Sequence, residues 1–299
     1  MIMDGRVVVV TGAGRGIGRA HALAFAAEGA SVVVNDAGVA ADGSGTSAGP
    51  AEQVVAEIEE RGGKAVANTD DVADWAGAAR LIGTALENFG KLDVLVNNAG
   101  FVRDRMLVTL SEQEWDAVIR VHLKGHFAPL HHAAAHWRAE AKAGRTPSSA
   151  RVINTSSGAG LLGSVGQGNY SAAKAGIAGL TVVAAAELAR YGVTVNAIAP
   201  AARTRMTEQV FAEMMAAGDG FDAMAPENIS PLVVWLGSAE SAGVTGRVFE
   251  VDGGRVSLAT GWRHGPERDK GARWEPAELG AVVAELLAEA PEPEPVYGV

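Results

Sequence analysis

Short apolar runs alternate with longer segments of mixed character along this chain. Arg6–Val10, Ser31–Asn35, Ala65–Asn68, Leu92–Val96, Arg151–Thr155, Thr194–Ile198 and Arg247–Val251 are brief, and most are continuous Val/Ile series. Unbroken apolar runs suit strands of a parallel sheet buried on both faces. Arg19–Glu28, Glu52–Arg61, Trp75–Phe89 and Ala172–Tyr191 have helical spacing or helix-forming composition, and a long Ala-rich helix is expected over Trp115–Ala139. Strand–helix alternation repeated this often predicts an α/β fold, one doubly wound sheet with helices on both faces.

Three stretches interrupt the pattern. Ala37–Pro50 is rich in Gly, Ser and Ala and reads as an exposed loop after the second strand, and Ala139–Ser149 reads as a polar loop. Beyond Gly254 a tail carries a helical pattern, Pro276–Ala290, and then Pro-Glu-Pro-Glu-Pro, a stiff acidic segment expected to stay mobile. The division expected is one α/β domain over 1–254 and an extension over 255–299. With Trp262, Trp274 and its helix, the tail has enough apolar surface to dock near the substrate mouth or on a neighbouring subunit.

Bulk properties narrow the function. The chain has 299 residues, 48% apolar and 20% charged, enough for one domain with a substantial core. Its net charge is −10 with no basic cluster, which argues against nucleic acid and anionic membrane surfaces as partners. It has no cysteine, which excludes disulfides, thiolate metal sites and cysteine nucleophiles. No leader pattern precedes the first strand, and the apolar run Ile177–Ala189, broken by Glu187, falls short of the ~20 residues of a membrane span. A cytoplasmic protein is the expectation.

Thr11-Gly-Ala-Gly-Arg-Gly-Ile-Gly18 follows a valine strand and opens a helix. Glycine lets the backbone approach a pyrophosphate, and the helix N-terminus supplies N–H groups and a positive dipole end. Gly12, Arg15, Gly16, Ile17 and Gly18 are the candidate contacts. Asp36 ends the second strand, where a carboxylate accepts the ribose hydroxyls of an adenosine and repels a 2′-phosphate. The cofactor expected is NAD.

Tyr170 and Lys174 stand four residues apart on a helix, so phenol and ammonium share one face. A nearby cation favours phenolate and moves tyrosine toward acid/base service. Ser157, at the end of a strand, adds a hydroxyl able to hold a carbonyl oxygen.

The glycine turn, Asn97-Asn-Ala-Gly100, Ser157 and Tyr170-x-x-x-Lys174, in this order and spacing, resemble the short-chain dehydrogenase/reductase family over about residues 4 to 254. The resemblance implies a single Rossmann-like domain with a seven-stranded parallel sheet and a homotetramer. It implies that Tyr170 exchanges the proton, that Lys174 lowers its pKa and holds the nicotinamide ribose, and that Ser157 orients the substrate oxygen. Asn97, Asn98, Ala99 and Gly100 would support the cofactor, Asp71 and Val72 would contact the adenine, and Thr204 would meet the carboxamide. Val-Val-Val-Asn-Asp36, Arg61-Gly-Gly-Lys-Ala-Val-Ala-Asn68, Arg120-Val-His-Leu-Lys-Gly125 and Pro231-Leu-Val-Val-Trp-Leu236 resemble more narrowly the dehydrogenase domain of peroxisomal multifunctional enzyme type 2. Related bacterial steroid and fatty-acyl enzymes share that likeness. It implies oxidation of a (3R)-3-hydroxyacyl-CoA, fatty or steroid-derived, with NAD.

Two positions depart from the family pattern. His122 stands where an asparagine usually binds a water through its main-chain carbonyl, a role open to histidine. Pro200-Ala201 replaces the common Pro-Gly and puts the local backbone in question. His122, His126, His132 and His136 form i, i+4 pairs without a carboxylate or thiol beside them, so structural or interface roles are expected and no metal site. Met206, Phe211, Met214, Met215, Phe221 and Met224 read either as core or as an apolar lid over a hydrophobic substrate. Two other functions stay open: an NADPH-dependent 3-oxoacyl reductase, and an inactive cofactor-binding scaffold.

Overall fold

In the computed structural model, which describes residues 1–39, 47–145, 149–203 and 220–298, the first valine run forms β1 (Val7–Thr11), buried at every position. It pairs in parallel with β2 (Ser31–Asn35) on one side and β4 (Val94–Asn97) on the other. The sheet runs β3 (Lys64–Asn68), β2, β1, β4, β5 (Ala150–Thr155), β6 (Val193–Ala201), β7 (Val248–Asp252), β8 (Arg255–Ala259). The order reverses between β1 and β4, and ligands of such sheets bind at the carboxyl ends of the strands beside that switch point.

Alternation along the strands builds the two cores. Val8, Val10, Val32 and Val34 face a cluster with Phe25, Val54, Ile58, Val233 and Leu236. Those side chains come from α1 (Gly16–Ala27), α2 (Gly49–Glu60) and α8 (Ser230–Gly237). Val7, Val9 and Val33 point the other way, to Leu81, Leu130, Trp137, Ala184 and Leu188. These belong to α3 (Trp75–Phe89), α5 (Gly125–Lys142) and α7 (Gly168–Leu188). Because both faces of the sheet are covered, apolar residues at successive positions of β1, β2 and β4 are buried on one side or the other, which is why these runs read as continuous.

Four local features differ from the sequence reading. The sheet has eight strands rather than seven: β8 turns back past Gly254 and pairs antiparallel with β7. The expected long helix over Trp115–Ala139 is instead α4 (Glu112–Ile119), a π-helical turn over Arg120–Lys124, and α5. Gly125, where the π turn ends, lies against Val72, whose Cγ2 a Cβ there would meet at 2.8 Å. Helix α7 with its terminal 3-10 turn spans 24 residues, long and apolar enough by length and composition to cross a membrane. Here it packs against α6 (Gly158–Leu162) and β6. Finally, β6 continues through Pro200-Ala201, with Pro200 opposite Val251, so alanine is accommodated as extended chain.

In the tail, a 3-10 turn over Pro276–Glu278 leads into α9 (Leu279–Glu289). No residue of α9 is buried, and Leu279, Val283 and Leu287 are exposed along it. Thr204, Met206, Phe211, Met214 and Met215 lie outside the described residues, as do residues 40–46 of the loop read over Ala37–Pro50, whose last two residues already belong to α2. Phe221, by contrast, is described and exposed.

Candidate active site

The glycine turn sits between β1 and α1 at the switch point. Gly12 has φ +63°, and a Cβ there would stand 2.7 Å from Ala99 Cα, so only glycine lets the turn close on the end of β4. Thr11 and Asn98 lock that junction. Thr11 Oγ1 accepts from the backbone N–H of Asn98 at 2.9 Å and of Ala99 at 3.1 Å. In return Asn98 Nδ2 donates to the carbonyls of Thr11 and Gly12. Gly16, Ile17 and Gly18 form the first turn of α1, with Arg15 as its exposed N-cap residue.

Asp36 reaches across this turn. Its Oδ2 accepts from Gly14 N at 2.8 Å and its Oδ1 from Gly38 N at 2.7 Å. A carboxylate is thereby fixed beside the helix N-terminus that would receive a pyrophosphate. The close-packed glycines, the N–H groups opening α1 and a carboxylate placed for ribose hydroxyls are a donor and acceptor set that fits a dinucleotide. Asp71 and Val72 follow β3; Asp71 pairs with Arg120 at 2.6 Å, and Val72 is buried.

Beneath the site runs a chain of amides. Asn97 Nδ2 donates to Asn154 Oδ1 at 3.0 Å, Asn154 Nδ2 to Thr181 Oγ1 at 2.9 Å, and Thr181 Oγ1 to Ile177 O at 2.8 Å. This ties the ends of β4 and β5 to α7, the helix that carries Tyr170 and Lys174. Asn169 adds a second tie, donating to the carbonyls of Arg103 and Glu114 while accepting from Tyr170 N at 2.8 Å. Neither Asn154, Thr181 nor Asn169 stands out in sequence, because an isolated amide or hydroxyl carries no spacing signal.

Ser157, Tyr170 and Lys174 come together as expected. Ser157 caps α6, its Oγ accepting from Ala159 N at 3.2 Å. Lys174 Nζ lies 5.5 Å from the centroid of the Tyr170 ring and donates to Thr155 O at 2.6 Å. Burial raises the Tyr170 pKa, a hydrogen bond with Ser157 pulls it down, and the charge of Asp104 adds to the rise. Burial also pushes Lys174 down to about 7. The sequence argument had the ammonium lowering the tyrosine, but in the folded protein burial of the phenol is the largest influence on it and acts the other way.

His122 packs edge-on to Tyr170, ring centroids 5.1 Å apart. Its Nε2 lies 2.6 Å from Phe101 O, and burial lowers its pKa to about 3, so it stays neutral. Gly100 makes room for it: a Cβ there would overlap the imidazole, with Nδ1 at 2.8 Å. Beside it His126 is buried as well, an imidazole the sequence grouped with structural or interface histidines. Thr155 N donates to its Nε2 at 3.3 Å, and it hydrogen-bonds the main chain of His122 and Asn97. Burial lowers its pKa well below the ordinary value. It therefore props the π turn and the end of β5 at once. His132, half on the surface, packs at a tilt against Trp75 instead, ring centroids 4.7 Å apart.

A hydroxyl, a phenol and a buried amine at the carboxyl edge of a doubly wound sheet, beside a dinucleotide cradle, define an oxidoreductase acting with a nicotinamide cofactor. Residues 6–215 match the short chain dehydrogenase family, and the chain belongs to that family. It is 46% identical over 294 residues to the hydroxyacyl-CoA dehydrogenase ChsB1 of Mycobacterium tuberculosis, covering 96% of this chain and 90% of that one. It is 44% identical over 280 residues to mouse peroxisomal multifunctional enzyme type 2, covering 94% of this chain but 34% of that longer protein. A 3-oxoacyl-[acyl-carrier-protein] reductase of Synechocystis is 43% identical, covering 85% of this chain and 98% of its own. The crystal structure of a short chain dehydrogenase from Mycobacterium avium superposes with a TM-score of 0.90 at 66% identity, each chain covered in full.

Proposed function

We propose that the protein oxidises the hydroxyl of a (3R)-3-hydroxyacyl-CoA, with a fatty or steroid-derived acyl group, to the ketone, using NAD. The observation that carries the alcohol chemistry is Tyr170 set between Ser157 and Lys174. The substrate class rests on the likeness to hydroxyacyl-CoA dehydrogenases, and the choice of NAD on Asp36. The bound nicotinamide supplies the hydride acceptor. Gly12, the opening turn of α1, Asp36 and Asn98 would hold it. Ser157 Oγ donates to the substrate oxygen and fixes it beside Tyr170, whose phenolate oxygen takes the hydroxyl proton as hydride leaves carbon. Lys174, anchored on Thr155, would stabilise that phenolate and hold the nicotinamide ribose.

Arg15 favours a second reading. Its guanidinium donates to Val39 O at 3.3 Å, on the loop that follows Asp36, where it could meet a 2′-phosphate. On that reading the enzyme is an NADPH-dependent 3-oxoacyl reductase. The test follows reduced-nicotinamide absorbance with a panel of 3-hydroxyacyl-CoA and hydroxysteroid substrates and both cofactors. Preferred turnover of hydroxyacyl-CoA with NAD supports the first reading. Preferred reduction of 3-oxoacyl thioesters with NADPH establishes the second, and no turnover in a cofactor-binding protein favours a scaffold.

A further inference from the structure

The loop Gly163–Gln167 joins the helix that starts behind Ser157 to the helix that carries Tyr170. It is gripped on both edges. On one, Arg105 N donates to Gly166 O at 2.7 Å and Gln167 Nε2 to Asp104 Oδ2 at 3.0 Å. On the other lies the C-terminus of the chain. Tyr297 N donates to Gly163 O at 3.2 Å, and Val165 N donates to Tyr297 O at 2.9 Å, which pairs Ser164 with Tyr297 in parallel.

This pairing lays the Tyr297 phenol over Gly158, the residue next to Ser157. A Cβ at Gly158 would stand 2.8 Å from the Tyr297 hydroxyl and 3.0 Å from its Cε2, so the bare glycine backbone forms the seat of the ring. Val296 packs over Gly163 in the same way, at 3.5 Å from a Cβ placed there. Tyr297 is 47% exposed, so part of its surface is covered and part is open. Beside it Val165 is exposed, and Met106 and Leu107 are exposed where they approach Gly166 and Gly168. Such an apolar cluster at the mouth of a polar site marks a binding surface rather than ordinary exterior.

We infer that Val296 and Tyr297 form the outer wall of the substrate pocket, against which the apolar acyl group lies, so that the C-terminal peptide sets chain-length preference. This rests on the hydroxyacyl reading above. The preceding α9 buries none of its residues in this chain, whereas the terminal peptide is bonded to the loop between two catalytic residues. The wall touches the acyl group and not the reacting carbon, so it acts on affinity.

The test compares the full chain with Tyr297→Ala, Tyr297→Phe and a chain ending at Pro295. Steady-state kinetics use short-chain and long-chain 3-hydroxyacyl-CoA with NAD, and calorimetry measures binding of a long-chain acyl-CoA directly. Losing the apolar contact should raise KM and Kd for the long chain about tenfold. KM for the short chain and for NAD should move less than about twofold, with kcat little changed, and Tyr297→Phe should recover most of the loss. An equal rise at both chain lengths, a fall in kcat alone, or no change overturns the inference. Wild-type binding of acyl-CoA without turnover defeats the dehydrogenase reading instead, and the calorimetric ratios then judge the wall by themselves. A wild type that binds no acyl-CoA overturns both.

Discussion

Lys174 Nζ donates to Thr155 O at 2.6 Å, so the amine of the active site hangs from the last residue of β5 while only 2% of Lys174 is exposed. One carbonyl does not replace the water an ammonium loses, and burial therefore lowers the Lys174 pKa from 10.5 to about 7. Below about pH 7 the folded protein bears a desolvated charge. Between there and the ordinary lysine pKa, the unfolded chain holds a proton the folded one has released, so stability rises with pH. Lys174→Met, which keeps the apolar stem, should gain stability relative to wild type most at pH 6, and the gain should shrink steadily by pH 9. Urea unfolding of both proteins across that range reads the difference, and parallel pH curves would refute it.

Much of this site is visible in the primary structure, because its chemistry demands residue types at fixed spacing. The glycines from Gly12 to Gly18 are dictated by backbone approach, and Tyr170 and Lys174 by one helical face. What the sequence hides is burial and long-range contact. Four histidines share one helical spacing, yet His122 and His126 lie under the site while His132 packs on the surface. The π turn over Arg120–Lys124 that separates these environments leaves no periodic trace. Burial of the phenol raises the Tyr170 pKa, the opposite of the lowering expected from the spacing of Tyr170 and Lys174. Tyr297, far along the chain from Gly158, follows the Pro-Glu segment expected to be mobile and is nevertheless bonded to Gly163 and Val165.

Gly100 and His122 should behave as one unit. A methyl group at position 100 overlaps the imidazole, and the same ring packs edge-on against Tyr170. Gly100→Ala should destabilise the protein by about 1–3 kcal/mol, the usual cost of overpacking, and should lower turnover by displacing Tyr170. Adding His122→Ala should restore part of the stability, giving a double-mutant coupling of about 0.5 kcal/mol or more. Additive losses in thermal unfolding would show that the contact is not the cause.

Asp36 should set cofactor preference, since its carboxylate is fixed by Gly14 N and Gly38 N at the turn. Asp36→Ala removes the ribose acceptor and the repulsion toward a 2′-phosphate. The NAD-to-NADP ratio of kcat/KM should fall by about tenfold or more, the scale of one charged hydrogen bond. An unchanged ratio would shift the assignment to Arg15.

Assembly follows from the outer faces of α5 and α7. Phe127, Val182 and Val183 are exposed there, and Ile119, Leu123, Phe127 and Leu180 line a shallow apolar hollow. Faces of this kind are expected to close on a symmetry mate, and a homotetramer is the expected state. Light scattering at micromolar protein should give four times the chain mass. A monomer mass would contradict it.

The mechanism stands on Tyr170. Tyr170→Phe removes one oxygen from a ring that packs against His122, and leaves the backbone N–H of residue 170 donating to Asn169 Oδ1, so the fold should persist with nearly unchanged volume. NAD should still bind, because Asp36 and the glycine turn are untouched. Turnover should fall by about 10²–10⁴-fold, as for loss of a general acid/base. Lys174→Ala should also lower turnover, and it should weaken the cofactor if the amine holds the ribose. The double variant should lose little more than Tyr170→Phe alone, because a lysine that acts through the phenolate has nothing left to stabilise. Single-turnover kinetics with bound NAD measure the chemical step directly. A Tyr170→Phe protein that binds NAD and reacts within a few-fold of wild type would mean that another group moves the proton.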